Sequence, residues 1–369
     1  MAILWLLLAC GAVITLQGYV LGKGSLKKIT YERHFNSESC YVGDRIEMVE
    51  VIENAKPIPV PWLRLEAMMP SSLSFKRSKE TWISKGDIYQ NHTSLFTLPP
   101  RSRITRTHQI QCRGRGIYQM DSATMTSGDL FALYFQTRQI KLSKRLVVYP
   151  ALLGEDELPA SWRTWQGELA VRRWIVEDPF LITGIRNYAP GDSMNRIHWN
   201  ASARAGELQV HQNGYSADPR AMICLNIEVS EQMWNVVTRP EIVESALSYA
   251  ATCAASLIHQ GMAIGFGHNA HSLLDQEQLA RVEPDYGTPH LEAVLEAMSA
   301  LEMKSRLSFH EFLRIEAERE HAQKMDYLLV TAHVSDLMKQ SIVQLEMQGH
   351  RVMIADMAAW KEEKYAQQG

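Results

Sequence analysis

The chain opens on an unbroken apolar stretch. Ala2 to Leu21 holds 20 residues without a charge, which as a helix spans about 30 Å, the thickness of a bilayer's hydrocarbon core. The pattern predicts one transmembrane helix over 1–22. A cleaved signal would show a basic n-region and a shorter apolar stretch, and only the α-amino group precedes this one. Leu7-Leu8-Ala9-Cys10 imitates a lipoprotein cleavage box, but the apolar run continues through Cys10 for eleven more residues. Lys23, Lys27, Lys28 and Arg33 come after the helix, and the positive-inside rule places the bulk of the protein in the cytoplasm.

From 30 to 150 the polarity alternates over short runs, which predicts a β-sandwich of the immunoglobulin-like kind. Ile46 to Ile52, Leu63 to Met68, Leu95 to Leu98, Arg103 to Cys112 and Leu146 to Tyr149 read as strands between Gly, Pro, Ser and Asp clusters. Pro57, Pro59 and Pro61 ahead of Trp62 would rigidify an edge strand and discourage pairing with other chains. Residues 151–219 read as a connector, acidic at first (Glu155, Asp156, Glu157) and then rich in Trp and Arg (Trp162, Arg163, Trp165, Arg172, Arg173, Trp174). Arginines covering tryptophan faces within one protein explain that mixture better than stacking on single-stranded nucleic acid.

Beyond Pro219 the period changes. Ala221–Ile227, Met262–Gly267, Tyr327–Thr331 and Arg351–Ala355 read as continuous apolar strands, and 241–260, 290–301 and 335–348 as helices. The alternation predicts a parallel sheet covered by helices on both faces over 220–369. The apolar stripe of 241–260 is interrupted by Glu244, Ser245, Ser248 and Ser256, the pattern of a packed helix and not of a second membrane span. The fold class expected is therefore α+β and multidomain: membrane helix, β-sandwich, then an α/β domain.

Composition narrows the function classes. With a net charge of −3 over 369 residues the chain has no global attraction to nucleic acid, and the Arg113-Gly114-Arg115-Gly116 run reads as a solvated turn. Cys10, Cys40, Cys112, Cys224 and Cys253 form no CxxC pair and are odd in number, which fits a reducing compartment.

The most irregular segment is Gly184 to Val210. Pro190-Gly191 sets a turn and Asp192 can cap the next element; the run from Ile197 to Arg204 fits either an extended strand or a short helix ending at Gly206. Its pattern is carried by Gly184, Arg186, Tyr188, Pro190, Gly191, Asp192, Arg196, Ile197, His198, Trp199, Ser202, Ala203, Arg204, Gly206, Leu208 and Val210. It resembles the signature of the bacterial domain of unknown function 58 family. That resemblance implies a membrane-anchored bacterial protein acting with a MoxR-type AAA+ ATPase, hence a single pass through the inner membrane, and it implies no established chemistry. The region 220–369 resembles a von Willebrand factor A-like, Rossmann-like domain. In metal-binding members the first strand ends in Asp-x-Ser-x-Ser; the matching positions here are Asn226, Glu228 and Ser230, so a near-octahedral Mg²⁺ shell loses its leading carboxylate and the domain reads as degenerate.

No HExxH, Walker A, GxSxG or GxGxxG pattern is present, and His268 and His271 form a loop pair without a third ligand. No catalytic residue, cofactor or metal is therefore assigned. Three readings of Arg186, Tyr188, Asp192, Arg196, His198, Trp199, Ser202 and Arg204 stand. In the structural one, Asp192 pairs with Arg186 or Arg196, His198 bonds a backbone group and Trp199 anchors the segment between domains. In the second they form a docking surface, since Arg and Trp dominate interaction hot spots. The rival from another class is a hydrolase or transferase centred on His198 and Asp192, with Ser202 completing a triad. The expectation is a non-catalytic adaptor or assembly factor.

Overall fold

The computed structural model describes residues 2–75, 81–86, 89–172, 177–215, 220–230, 237–275, 280–319 and 324–361; Arg173 and Trp174 of the aromatic-basic stretch lie outside them. The chain divides into two compact units, Met1–Ala151 and Leu152–Gly369.

In the first unit a helix α1 (Ala2–Gln17) runs into a π-helical turn, Gly18–Gly22. Ile3–Gly22 is long and apolar enough to cross a membrane, and only 6% of it is buried by the protein, so its apolar surface has no protein to cover it. Ten strands come next: β1 (Ile29–Phe35), β2 (Ser39–Tyr41), β3 (Arg45–Asn54), β4 (Val60–Pro70), β5 (Leu73–Phe75), β6 (Thr81–Lys85), β7 (Tyr89–Leu98), β8 (Ser102–Cys112), β9 (Gly116–Gly128) and β10 (Phe135–Tyr149). They form two sheets, β1-β3-β8-β5 and β2-β10-β9-β4-β7-β6. Alternating residues such as Met48, Ile52, Leu63, Leu65, Met69, Phe96, Ile110, Met125 and Val148 point into one shared core, which makes the unit a β-sandwich.

The proline-marked strand is corrected by this order. β4 lies between β9 and β7 and is not an edge. Its prolines are tolerated because Pro59 precedes the strand and Pro61 sits in the irregularity between Val60 and Leu63 of the β4–β7 pairing, while the β4–β9 pairing begins only at Leu63.

The interior of the sandwich holds a polar knot that the alternation does not announce. Glu50 accepts from the Tyr31 hydroxyl at 2.6 Å, from Arg33 Nη2 at 2.8 Å and is bonded to His108 Nε2 at 3.0 Å. Burial pushes this carboxyl up, but the bonds from His108 and Tyr31 and the charge of Arg33 outweigh it and hold Glu50 far below the usual carboxylate range. His92 packs its ring 5.2 Å from that of His108, and neither of its ring nitrogens has a hydrogen-bond partner among the described residues. Cys40 and Cys112, 72 residues apart, also meet in this core with sulfurs 3.4 Å apart.

The second unit begins with α2 (Ala160–Arg172), β11 (Glu177–Asn187), α3 (Trp199–Ala205) and β12 (Gln209–Tyr215), β11 and β12 pairing as an antiparallel ribbon. It continues through β13 (Arg220–Leu225), α4 (Pro240–His259), β14 (Ala263–His268), β15 (Ala270–Ser272), β16 (Arg281–Asp285), α5 (Thr288–Ala300), β17 (Leu301–Ser305), α6 (Phe309–Glu318), β18 (Asp326–Thr331), α7 (Asp336–Met347) and β19 (Arg351–Asp356). The main sheet has the order β16-β14-β13-β18-β19; β14, β13, β18 and β19 are parallel and β16 is antiparallel.

β13 is buried at every residue from Ala221 on, as a strand covered on both faces must be. Met222 and Cys224 share one side with Tyr327, Leu329 and the inner faces of α6 and α7. α4 lies over β13, β14 and β18 and packs on α5. α2 is no passive connector: Trp162 contacts Tyr249 of α4 at 6.2 Å, and Tyr249 in turn contacts Trp360. Trp165, 5.5 Å away, is the second aromatic neighbour of Trp162.

The His92 ring makes sandwich stability depend on pH. Burial lowers its pKa from 6.5 to about 4, against the opposing pull of Glu50. The unfolded chain therefore takes up a proton near pH 6.5 that the folded unit refuses until about 4, so stability is full above 6.5 and falls across that window, by about 3 kcal/mol when complete. Urea unfolding of the full chain in detergent should show this loss between pH 7 and 4, and His92→Phe should flatten it.

Candidate functional site

The signature segment folds as a clasp. Arg186, near the end of β11, donates from Nη1 and Nη2 to the two carboxylate oxygens of Asp192 at 2.7 and 2.6 Å, the bidentate geometry in which a guanidinium is strongest. Asp192 Oδ2 also accepts the Ala189 amide at 2.8 Å, closing the turn over Pro190 and Gly191, where φ of +107° requires glycine. The Arg186 bonds first, then the Ala189 amide and the nearby charge of Arg196, hold Asp192 at about 2.

Of the two forms open to Ile197–Arg204, the helix is the one taken. Gly206 ends α3 in the left-handed conformation and returns its amide to Ser202. His198 caps the other end, its Nδ1 accepting the Ala201 amide at 3.1 Å. Ser202 ties α3 to β12, its Oγ donating to the His198 carbonyl and accepting the Gln209 amide at 2.8 Å. Ile197 bridges Val210, and both are buried. Tyr188 joins the ribbon through its amide, 2.8 Å from the Leu208 carbonyl.

These bonds do not form a Ser–His–Asp relay. The Asp192 carboxylate is held by Arg186, and the Ser202 hydroxyl is bonded to backbone. His198 Nδ1 is taken by an amide, so the proton of the neutral ring sits on Nε2, and the nearest ring is that of His211, 4.6 Å away. A triad needs each group aimed at the next, and here each is aimed elsewhere.

Trp199 corrects the anchoring role expected of it: it is 65% exposed. Ile197 and Val210 are the buried pair of the segment, and the indole stands outward on α3. Arg204 is exposed on the same helix, and Leu208 of the pattern and Met194, which the pattern did not single out, are exposed near it in sequence.

A second candidate lies where β13 ends between β14 and β18. Ligands of open α/β sheets bind at this kind of reversal point, outside the carboxyl ends of the strands. Asn226 donates to Thr331 Oγ1 at 2.9 Å, and its oxygen accepts the Glu228 amide at 2.9 Å. Glu228 Oε1 accepts from Asn269 Nδ2 at 3.1 Å and from the Phe309 amide at 2.5 Å. Asn269 Oδ1 accepts the Ile227 amide. Donors within the protein thus occupy Glu228 Oε1, Asn226 Oδ1 and Asn269 Oδ1. His268 is buried with Nδ1 accepting the Ala270 amide, and no group of three or more metal-ligating side chains occurs among the described residues. Asn269 was legible only as the residue after an apolar strand, and its partners Asn226, Ile227 and Glu228 lie on the far side of α4.

The molecule is thus a two-unit α+β protein with an apolar amino-terminal helix, a β-sandwich and a clasped ribbon ahead of a mostly parallel sheet. Residues 184–363 match the family model described as protein of unknown function DUF58, the family whose signature the segment resembles. No curated protein matches the chain. Among solved structures it is similar to the CARDB domain of a Pyrococcus furiosus protein, at 16% identity over 32% of this chain and 91% of that one, with a TM-score of 0.20. A non-cellulosomal cohesin from Archaeoglobus fulgidus is 10% identical over 35% of this chain and 94% of its own, with a TM-score of 0.23.

Two outcomes are expected here. Asp192→Ala removes the acceptor of the Ala189 amide, so hydrogen exchange at Ala189 should accelerate on the order of tenfold, the equivalent of one typical bond, with α4 unaffected. Burial raises Glu228 to about 7, against the bonds from Phe309 and Asn269. A raised carboxyl contributes stability that is full below its unfolded value near 4.5 and lost as pH rises through 7. Thermal melts should therefore show Glu228→Gln stabilised over the parent at pH 8 and level with it at pH 4, and millimolar Mg²⁺ should shift neither.

Proposed function

We propose that this chain is a non-catalytic adaptor or assembly factor, anchored in the bacterial inner membrane by α1 with its soluble part in the cytoplasm, and working with a MoxR-type AAA+ ATPase. The observation that carries this reading is the exposed indole of Trp199 on a helix fixed at both ends. Polar groups of the clasp are spent on each other, whereas Trp199, Arg204, Met194 and Leu208 are left outward. Rigid exposed Trp and Arg are the residues from which interaction hot spots are built, and holding them on a capped helix removes the ordering cost of binding.

The lysines after the helix support the cytoplasmic side. The sheet order, with the polar knot at the ends of β13 and β18, supports reading 220–369 as a degenerate von Willebrand factor A-like domain, whose usual cation position is filled by Asn226, Glu228, Asn269 and Thr331. The rival hydrolase or transferase draws no support from the positions of Asp192, His198 and Ser202.

Trp199→Ala and Arg204→Ala in the full chain should leave the melting temperature unchanged and weaken capture of the ATPase by about 2 kcal/mol each, roughly 30-fold. His198→Asn keeps the helix cap and removes the imidazole. If that variant folds and captures the ATPase yet abolishes function in the cell, the protein is an enzyme and the adaptor reading fails.

A further inference from the structure

The β9–β10 hairpin ends in Leu130, Phe131, Leu133, Tyr134 and Phe135, all between 57% and 65% exposed. So dense an apolar tip is unusual on a surface meant for water. Its place in the fold explains it. Gln17, the polar residue near the end of the membrane helix, donates from Nε2 to Asp129 Oδ2 at 2.9 Å and accepts the Leu130 amide on Oε1. One turn on, Gly18 and Gly22 leave room for Tyr134: a Cβ at either glycine would meet the tyrosine at 2.9 or 2.6 Å. The tip is therefore fastened to the helix itself.

The geometry points to a second membrane contact: the 130–135 tip is immersed in the same leaflet that α1 leaves, so that the β-sandwich sits on the bilayer at a fixed angle. This rests on reading α1 as a membrane anchor. With Ile3–Gly22 filling the hydrocarbon core, Gln17 lies five residues inside its exit, about 7 Å at the helical rise, within the depth at which interfacial segments lie.

Two further observations identify lipid as the occupant. First, four amides of the tip are satisfied internally, as lipid favours for backbone groups. Asp129 accepts the Phe131 amide on Oδ2 and the Tyr134 amide on Oδ1, its carbonyl accepts the Ala132 amide, and Gln17 accepts that of Leu130. Second, the surface just beyond the tip is basic. Lys23, Lys27, Lys28 and Arg138 are exposed, no Asp or Glu occurs before Glu32, and Tyr19 lies under the Lys23 ammonium at 5.0 Å. Anionic headgroups meet that chemistry at the level where aromatic belts form.

The test uses full-length protein in vesicles of phosphatidylethanolamine and phosphatidylglycerol, carrying an environment-sensitive fluorophore on one cysteine. The native Cys10 reports on the helix. Leu133→Cys and Phe131→Cys, each in a Cys10→Ser background, report on the tip, and Tyr89→Cys reports on the far end of the β4–β7 pairing. Nitroxide-labelled lipid should quench the fluorophore at 131 and 133 to an extent comparable with Cys10, with a blue-shifted emission, and leave 89 unquenched. Quenching at Cys10 without quenching at 131 and 133 overturns the proposal while the anchor stands. A blue shift at 131 and 133 that lipid nitroxide does not quench assigns the tip to a protein contact and equally overturns it. Absence of quenching at all positions removes the anchor, and the proposal with it.

Discussion

Arg186 reaches back over the Pro190–Gly191 turn to hold both oxygens of Asp192, and the shape of the signature segment depends on that grip. With the carboxylate fixed, the Ala189 amide is satisfied and the chain leaves the turn on the line that brings Ile197 against Val210. Only then can His198 stand at the head of α3 and Ser202 reach the Gln209 amide. Arg186, Asp192, His198 and Ser202, which help to make the sequence pattern recognisable, are thus links in one chain of local bonds. A Lys at 186 would supply a charge without the fork, and the turn would lose the second of its two bonds.

The same logic recurs at two other carboxylates. Asp129 gathers the amides of its hairpin tip as Asp192 gathers its turn, and Glu228 closes the carboxyl edge of the sheet with Asn226, Asn269 and Thr331. At each place a polar group of the kind that meets ligands is spent on the protein's own donors. The exposed groups left over are of another kind: Trp199, Met194 and Leu208 at the signature, Leu130, Phe131 and Phe135 at the hairpin, with Arg204 and Lys23, Lys27 and Lys28 beside them. Apolar and cationic side chains on rigid supports bind surfaces.

Much of the fold was legible because burial imposes a period. The strands from Ile46 and Leu63, the buried strands at Ala221 and Tyr327 and the helix over 241–260 each carry their faces in their own residues. What the sequence hid is non-local. Nothing near Pro59 and Pro61 says that β4 is central, because neighbour order is set by strands far along the chain and an irregularity in the β4–β7 pairing absorbs the prolines. α2 buries only Trp162, Trp165 and Leu169 among its described side chains, and its Trp162 is recruited by Tyr249, which in turn meets Trp360 near the other end of the unit. α6 hides for a different reason, since this short helix comes after β17 with only Arg306, Leu307 and Ser308 between them to mark the change.

At the signature one residue, Trp199, stands apart from the sequence reading. A tryptophan in a dense motif reads as an anchor because burying an indole is worth so much. Two branched aliphatics facing each other across a ribbon fill a narrow space better than an indole does, and Ile197 and Val210 take it. The tryptophan is then exposed at a position where a small polar residue would serve the fold at less risk of aggregation. Local structure gives no reason for that choice. A partner surface that covers the indole does, and this is why the exposure of Trp199, more than any of the bonds around it, bears on what the segment is for.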